Sequence, residues 1–179
     1  MKRIVLTSGL IAGGILAAVM VVTMPLANKG NLSHSEVVGY SAMVLAFVMI
    51  FVGIRSYRET VGGGKVTFGK GFQVGILISL IASLIYVGTW EILYWGFLPD
   101  FAEHYSAFVI GKMQGAGASA AAIAAKQREL LEFQRMYKNP LFNIAMTFIE
   151  VFPVGLIITL VSAAILRRTK PAAAVVAAG

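Results

Sequence analysis

The chain has 179 residues, 58% hydrophobic and only 13% charged, with a net charge of +7 and a mean hydropathy of +0.82. Soluble domains carry roughly 45–50% apolar and about 25% charged residues, and one small globule cannot hide such a surplus, so a soluble globular protein is excluded and lipid must cover part of the surface. Cysteine is absent, which removes disulfides, thiolate metal sites and cysteine nucleophiles.

Met1-Lys2-Arg3 precede an apolar run over 4–26. At about 23 residues it is longer than the core of a secretory signal, and Pro25-Leu26-Ala27 makes a poor cleavage site, so a retained membrane span is expected. Gly9 and Gly13, four apart with Ala17 one step on, would let a neighbouring helix approach closely. Residues 28–36 (NKGNLSHSE) read as a polar loop rich in turn and capping residues. A second span follows over 37–54, ending in Arg55-Ser-Tyr-Arg58, and the glycines at 62–64 make a flexible turn. The third span is expected over 72–95 and the fourth over 141–166, stopping at Arg167-Arg168. Each run approaches or exceeds the ~20 helical residues that cross a hydrocarbon core. Residues 1–170 read as one membrane domain, and the low-complexity tail at 171–179 as disordered.

With four spans, Lys2, Arg3, Arg55, Arg58, Lys65, Lys70, Arg167, Arg168 and Lys170 fall on one side. The positive-inside rule then places both termini in the cytoplasm, and the net positive charge reads as topology and anionic-lipid contact, not nucleic-acid binding.

The segment 99–139 does not span. Asp100 with Glu103 resembles a capping box, and Phe101, Tyr105, Phe108 and Val109 give one helical face. Gly111, Gly115 and Gly117 are expected to break that helix. Ser119 then caps a second helix through Tyr137, with Ile123, Leu130, Phe133 and Tyr137 on one side and ion-pair spacings at Arg128–Glu132 and Glu132–Arg135. The fold class expected is all-α: four transmembrane helices and an external helical hairpin between the third and fourth.

Several runs resemble one bacterial membrane protein family: Tyr40-Ser-Ala-Met-Val through Phe-Val-Gly-Ile-Arg-Ser-Tyr-Arg58, Thr67-Phe-Gly-Lys, Leu98-Pro-Asp-Phe101, Met136-Tyr-Lys-Asn-Pro-Leu-Phe142 and Glu150-Val-Phe-Pro-Val-Gly-Leu156. The family is domain of unknown function 4199. The resemblance extends nearly to Lys170 and implies a four-span inner-membrane protein, with no established activity or catalytic residue to carry over.

The acids inside the spans are Glu91 and Glu150, and no lysine or arginine lies within the spans to neutralise them. An intramembrane carboxylate is costly unless protonated, paired or hydrated. Counting along the helices places the two at similar depth. Asn143 and Thr147 share the face of Glu150, and Tyr94 is three residues from Glu91. These five residues form the candidate polar intramembrane site, as a structural hydrogen bond, a shared-proton pair or a cation site. Pro153 is expected to kink the fourth span and free a carbonyl near Glu150. On the third span, Gly71, Gly75, Ser79 and Ser83 recur every four residues, a ridge suited to helix packing within the chain or between copies. Trp90, Tyr94, Trp95 and Phe97 read as an interfacial aromatic belt.

Asp100 and His104 offer two ligands, too few for a closed zinc site. No Walker loop, dinucleotide fingerprint, HExxH or GxSxG occurs, and no catalytic residue, metal or cofactor is expected. The expected role is a non-enzymatic structural or accessory subunit whose partners are the lipid bilayer and a second copy or another membrane protein. The alternative is a small proton- or cation-linked carrier or channel subunit using Glu91 and Glu150. Four spans with no visible inverted repeat weaken it.

Overall fold

The computed structural model describes residues 1–28 and 32–168, with side chains at 1–24 and 37–168. The side chains of Lys29 and His34, together with Lys170 and the tail at 171–179, lie outside them. Six helices follow in order: α1 (Lys2–Asn28), α2 (Leu32–Thr60), α3 (Phe68–Gly96), α4 (Phe101–Gly115), α5 (Ala120–Tyr137) and α6 (Pro140–Leu166). Four are long and apolar enough to cross a membrane, over Lys2–Met24, Val37–Thr60, Phe68–Gly96 and Pro140–Leu166. Leu45, Leu84, Ile92, Ile157 and Ile165 stand exposed on their outer faces. Such a band is unfavourable in water and favourable against lipid chains. The chain is an all-α polytopic membrane protein.

The apolar span starts at Val37 as expected, but helix α2 begins at Leu32, inside the expected loop, because residues 32–36 contain no glycine or proline to stop a helix. Local chemistry sets the other helix starts. Thr67 accepts from the Lys70 amide at 3.3 Å to open α3, and Asn139 accepts from the Leu141 amide at 3.0 Å to open α6, where Pro140 needs no donor.

The four long helices run alternately up and down, and small residues set how closely they approach. A Cβ at Gly9 would lie 2.8 Å from Cβ of Ile81, and one at Gly13 would lie 2.8 Å from Cβ of Ile85. The missing side chains on α1 therefore seat two isoleucines of α3, as their spacing suggested. The α3 ridge faces inward. Gly71 meets Ala163 and Ile54, Gly75 meets Thr159 and Ile50, and Ser79 meets Gly155. The Ser79 hydroxyl is 3.0 Å from that of Thr159 and 3.2 Å from the Gly155 carbonyl. Helix α6 answers with its own four-residue series, Val151, Gly155, Thr159 and Ala163, all buried. Two such ridges interdigitate as a crossed, close pair. The α3 ridge is thus an intramolecular seam. Helix α2 closes the bundle by laying Phe47, Ile50 and Ile54 into the same core.

One end of the bundle is tied. Val66 and Arg168 exchange two backbone hydrogen bonds, at 3.2 and 2.8 Å, joining the α2–α3 turn to the end of α6. Arg58 reaches the Leu166 carbonyl at 3.5 Å. The turn itself requires glycine at Gly63 and Gly64, whose φ angles are 57° and 79°.

Helices α4 and α5 pack on one another at the opposite end, where Gln134 donates to the Ala102 carbonyl at 3.0 Å and to the Ser106 hydroxyl at 2.6 Å. Three local expectations change here. Asp100 makes no side-chain cap, because its φ and ψ of −94° and 7° are turn-like, not extended as a capping box needs. Helix α4 passes through Gly111 and breaks only beyond Gly115, at Gly117, whose φ of 74° is the conformation that calls for glycine. Glycine inside a helix costs about 1 kcal/mol and does not forbid it. On α5 the ion pair is Lys126–Glu129 at 2.7 Å, while the Arg128 side chain turns back to the Ala124 carbonyl. Ser119 does cap α5, accepting from the Ala122 amide at 3.3 Å.

Candidate functional site

The series that packs α6 against α3 turns polar towards the α4–α5 end. Asn143 and Thr147 continue the spacing of Val151, Gly155 and Thr159, and both are buried. On α3, Tyr86, Trp90 and Tyr94 are likewise spaced by four and buried. These two stripes meet. The Trp90 indole N–H donates to Asn143 Oδ1 at 2.9 Å, and the Thr147 hydroxyl donates to the same oxygen at 3.3 Å. Asn143 Nδ2 donates to the Tyr137 carbonyl at 3.5 Å, and the Tyr137 and Thr147 hydroxyls are 3.5 Å apart. The end of α5 is thereby fastened to the start of α6. Burial pushes the Tyr137 phenol above its ordinary range, so it stays a neutral donor.

Beneath α4 and α5 the helices leave a cavity of about 670 Å³. Tyr86 and Trp90 line it from α3, Gly39, Tyr40 and Met43 from α2, and Met146, Thr147, Ile149 and Glu150 from α6. Its cover is formed by Phe101, Tyr105 and Ser106 of α4 with Leu130, Phe133 and Tyr137 of α5, and Met24 lies at its edge. Lys126 and Glu129 also line it, paired with each other. Most of the wall is apolar or aromatic. Phe101 stands edge-on to Trp90, centroids 5.0 Å apart, and Tyr94 edge-on to Tyr137 at 5.4 Å. Glu150 is accessible from the cavity, with the Tyr86 hydroxyl within hydrogen-bonding reach of its carboxylate.

Of the five residues expected to form a polar site, the structure places Thr147 and Glu150 on the cavity wall, while Asn143 is buried in the helix seam and bonded to Trp90 and Thr147. Tyr94 touches the network through its ring contact with Tyr137. Glu91 stands apart: its Oε2 accepts from the Trp95 indole at 2.8 Å, its Oε1 is buried without a partner, and it does not line the cavity. The expectation of similar depth fails as well. Asn143 pairs with Trp90, so α6 enters the bundle level with Trp90 and not with Trp95. Glu150 therefore lies about two turns, roughly 10 Å, deeper than Glu91.

The aromatic belt also divides. Trp95 and Phe97 are 49% and 71% exposed, whereas Trp90 and Tyr94 are 6% and 4% exposed and belong to the core. Helix α6 runs unbroken through Pro153, which is exposed on its outer face. The missing N–H deprives the Ile149 carbonyl, next to Glu150, of its helical donor. Tyr86 and Tyr137 are the site residues that sequence reasoning missed. The four-residue spacing of Tyr86, Trp90 and Tyr94 is the signal that would have found the first.

The family described as "Protein of unknown function (DUF4199)" matches residues 7–168. The chain belongs to that family. Among curated proteins and among solved structures, nothing matches it. The DUF4199 match takes in the whole cavity lining from Met24 to Glu150, so the cavity lies within the family's own fold.

Proposed function

We propose that this chain is a non-enzymatic accessory subunit of a bacterial inner membrane that receives an amphiphilic molecule in the cavity beneath α4 and α5. Both termini would lie in the cytoplasm, with α4 and α5 an external helical hairpin over the outer leaflet, following the cationic residues at the tied end. The observation that carries the reading is the cavity itself. Its volume falls within the roughly 300–1,000 Å³ of small-molecule sites, and such sites combine apolar walls with a few placed polar groups. The exposed side chains of Tyr40 on α2 and Ile149 on α6 both line it, which suits a ligand arriving sideways from lipid.

The non-enzymatic part rests on the lining, which holds no histidine, and whose one serine, Ser106, is bonded to the Ala102 carbonyl and Gln134. A carrier using Glu91 and Glu150 together has less support, since the two acids face different surroundings at different depths.

Gly39 gives a clean test. A Cβ there meets nothing within 4 Å among the described residues, yet the residue lines the cavity. Gly39→Phe should fold normally and fill the space. Mass spectrometry of protein purified from its native membrane should find a stoichiometric amphiphile on the wild type and none on Gly39→Phe. Identical bound molecules on both proteins would overturn the reading.

A further inference from the structure

The cavity holds one acidic side chain without a cationic partner. Among its described lining residues, Lys126 and Glu129 neutralise each other at 2.7 Å, which leaves the Glu150 carboxylate as the only ionisable acid without a cationic partner. No ion pair involving Glu150 occurs among the described residues. Tyr86 is in hydrogen-bonding reach of it, and Tyr40, Trp90, Phe101 and Tyr137 add aromatic rings to the lining of the same cavity. A carboxylate held in an apolar site gains most from a partner of opposite charge. Aromatic rings attract cations, and they favour weakly hydrated organic cations that enter an apolar site at little desolvation cost.

We propose that the cavity is a site for a lipophilic organic cation, its charge neutralised by Glu150 and its apolar groups packed among Tyr86, Trp90 and Phe101. This deepens the proposed function, on which it rests, by assigning the ligand a chemical class. A simple anionic or neutral lipid tail would use the apolar walls but leave Glu150 uncompensated. A hydrated inorganic cation would use Glu150 but gain nothing from the size or apolarity of the space. A bulky organic cation uses both.

The chain has only two tryptophans, and just one of them, Trp90, lines the cavity. Trp95→Phe therefore leaves a single reporter inside the site. In that background, reconstituted in lipid nanodiscs, tetraphenylphosphonium should change Trp90 emission saturably. Tetraphenylborate, of the same shape and opposite charge, should neither reproduce the change nor compete. Glu150→Gln should weaken phosphonium binding by roughly tenfold or more, as loss of a charge partner in a binding site does. Glu150→Asp, which keeps the charge, should retain most of it, and Glu91→Gln should leave it unchanged. Melting curves on each variant exclude misfolding as the cause. Equal binding of the two ions, or full phosphonium affinity in Glu150→Gln, would overturn the cation assignment while leaving an amphiphile cavity standing. If neither ion altered Trp90 and Gly39→Phe retained the same native amphiphiles as wild type, both proposals would fall.

Discussion

The indole N–H of Trp90 and the amide oxygen of Asn143 meet at 2.9 Å, both residues buried, and this bond sets how α3 and α6 align at the cavity end. Asn143 also accepts from Thr147 and donates towards the Tyr137 carbonyl, so one amide joins three helices. Asn143→Leu should leave the indole without an acceptor and lower stability by about 1–3 kcal/mol. A double-mutant cycle with Trp90→Phe, read by melting in detergent, should show a coupling of about 0.5–2 kcal/mol. Additive effects would show that the bond contributes nothing to the pairing.

Adjacent glycines on α1 should behave in opposite ways. At Gly13 a Cβ would sit 2.8 Å from Cβ of Ile85, whereas at Gly14 none of the described residues lies within 4 Å of one. Gly13→Ala should destabilise by about 1–3 kcal/mol through overpacking. Gly14→Ala should be neutral or stabilise by up to about 1 kcal/mol, since alanine favours the helix. Thermal melts of the two single variants decide it, and equal effects would contradict the α1–α3 seam.

The packing ridge can be tested by crosslinking in a chain that has no cysteine of its own. Ser79 is buried against Thr159, hydroxyl to hydroxyl at 3.0 Å. Ser79→Cys alone should give no disulfide-linked dimer on oxidation. Ser79→Cys with Thr159→Cys should close a bond within one chain, seen as faster migration on non-reducing gels. A dimer band from the single variant would place the ridge between copies instead.

Glu91 predicts a gain. Its Oε1 is buried without a partner while Oε2 takes the Trp95 indole. Glu91→Gln keeps an oxygen for Trp95 and removes an ionisable group that has no cationic partner among the described residues, so the melting temperature should hold or rise. A fall of several degrees would show that the charge has a partner in the membrane.

The helices and the α3 ridge were legible in the sequence, because length, hydropathy and four-residue spacing are properties of one helix at a time. Gly71, Gly75, Ser79 and Ser83 could be read as a seam without knowing their partner. The partner follows from Gly155, Thr159 and Ala163, which repeat the same spacing on α6 but stand among so many apolar residues that several faces of that helix could pack. The depth of Glu150 was not legible. It depends on where α6 enters relative to α3, a register fixed by Trp90 and Asn143 across two helices. Trp90 itself was misplaced for a related reason: an aromatic near the end of a span suits either an interfacial belt or a polar-capped core. Only the presence of Asn143 opposite its N–H decides between them.

The two backbone hydrogen bonds between Val66 and Arg168 bear on which way a bound molecule leaves. They fasten the α2–α3 turn to the residues just after α6, so α2 and α6 are clasped at the end away from the cavity, with Phe47 and Gly155 close together between. Spreading α2 from α6 at the cavity resembles opening a pair of tongs about a fixed hinge. A conduit needs both ends to part in turn, which here would require breaking the clasp and the glycine-tight seam together. A receptacle needs only one mouth, and its occupant departs by the route it came.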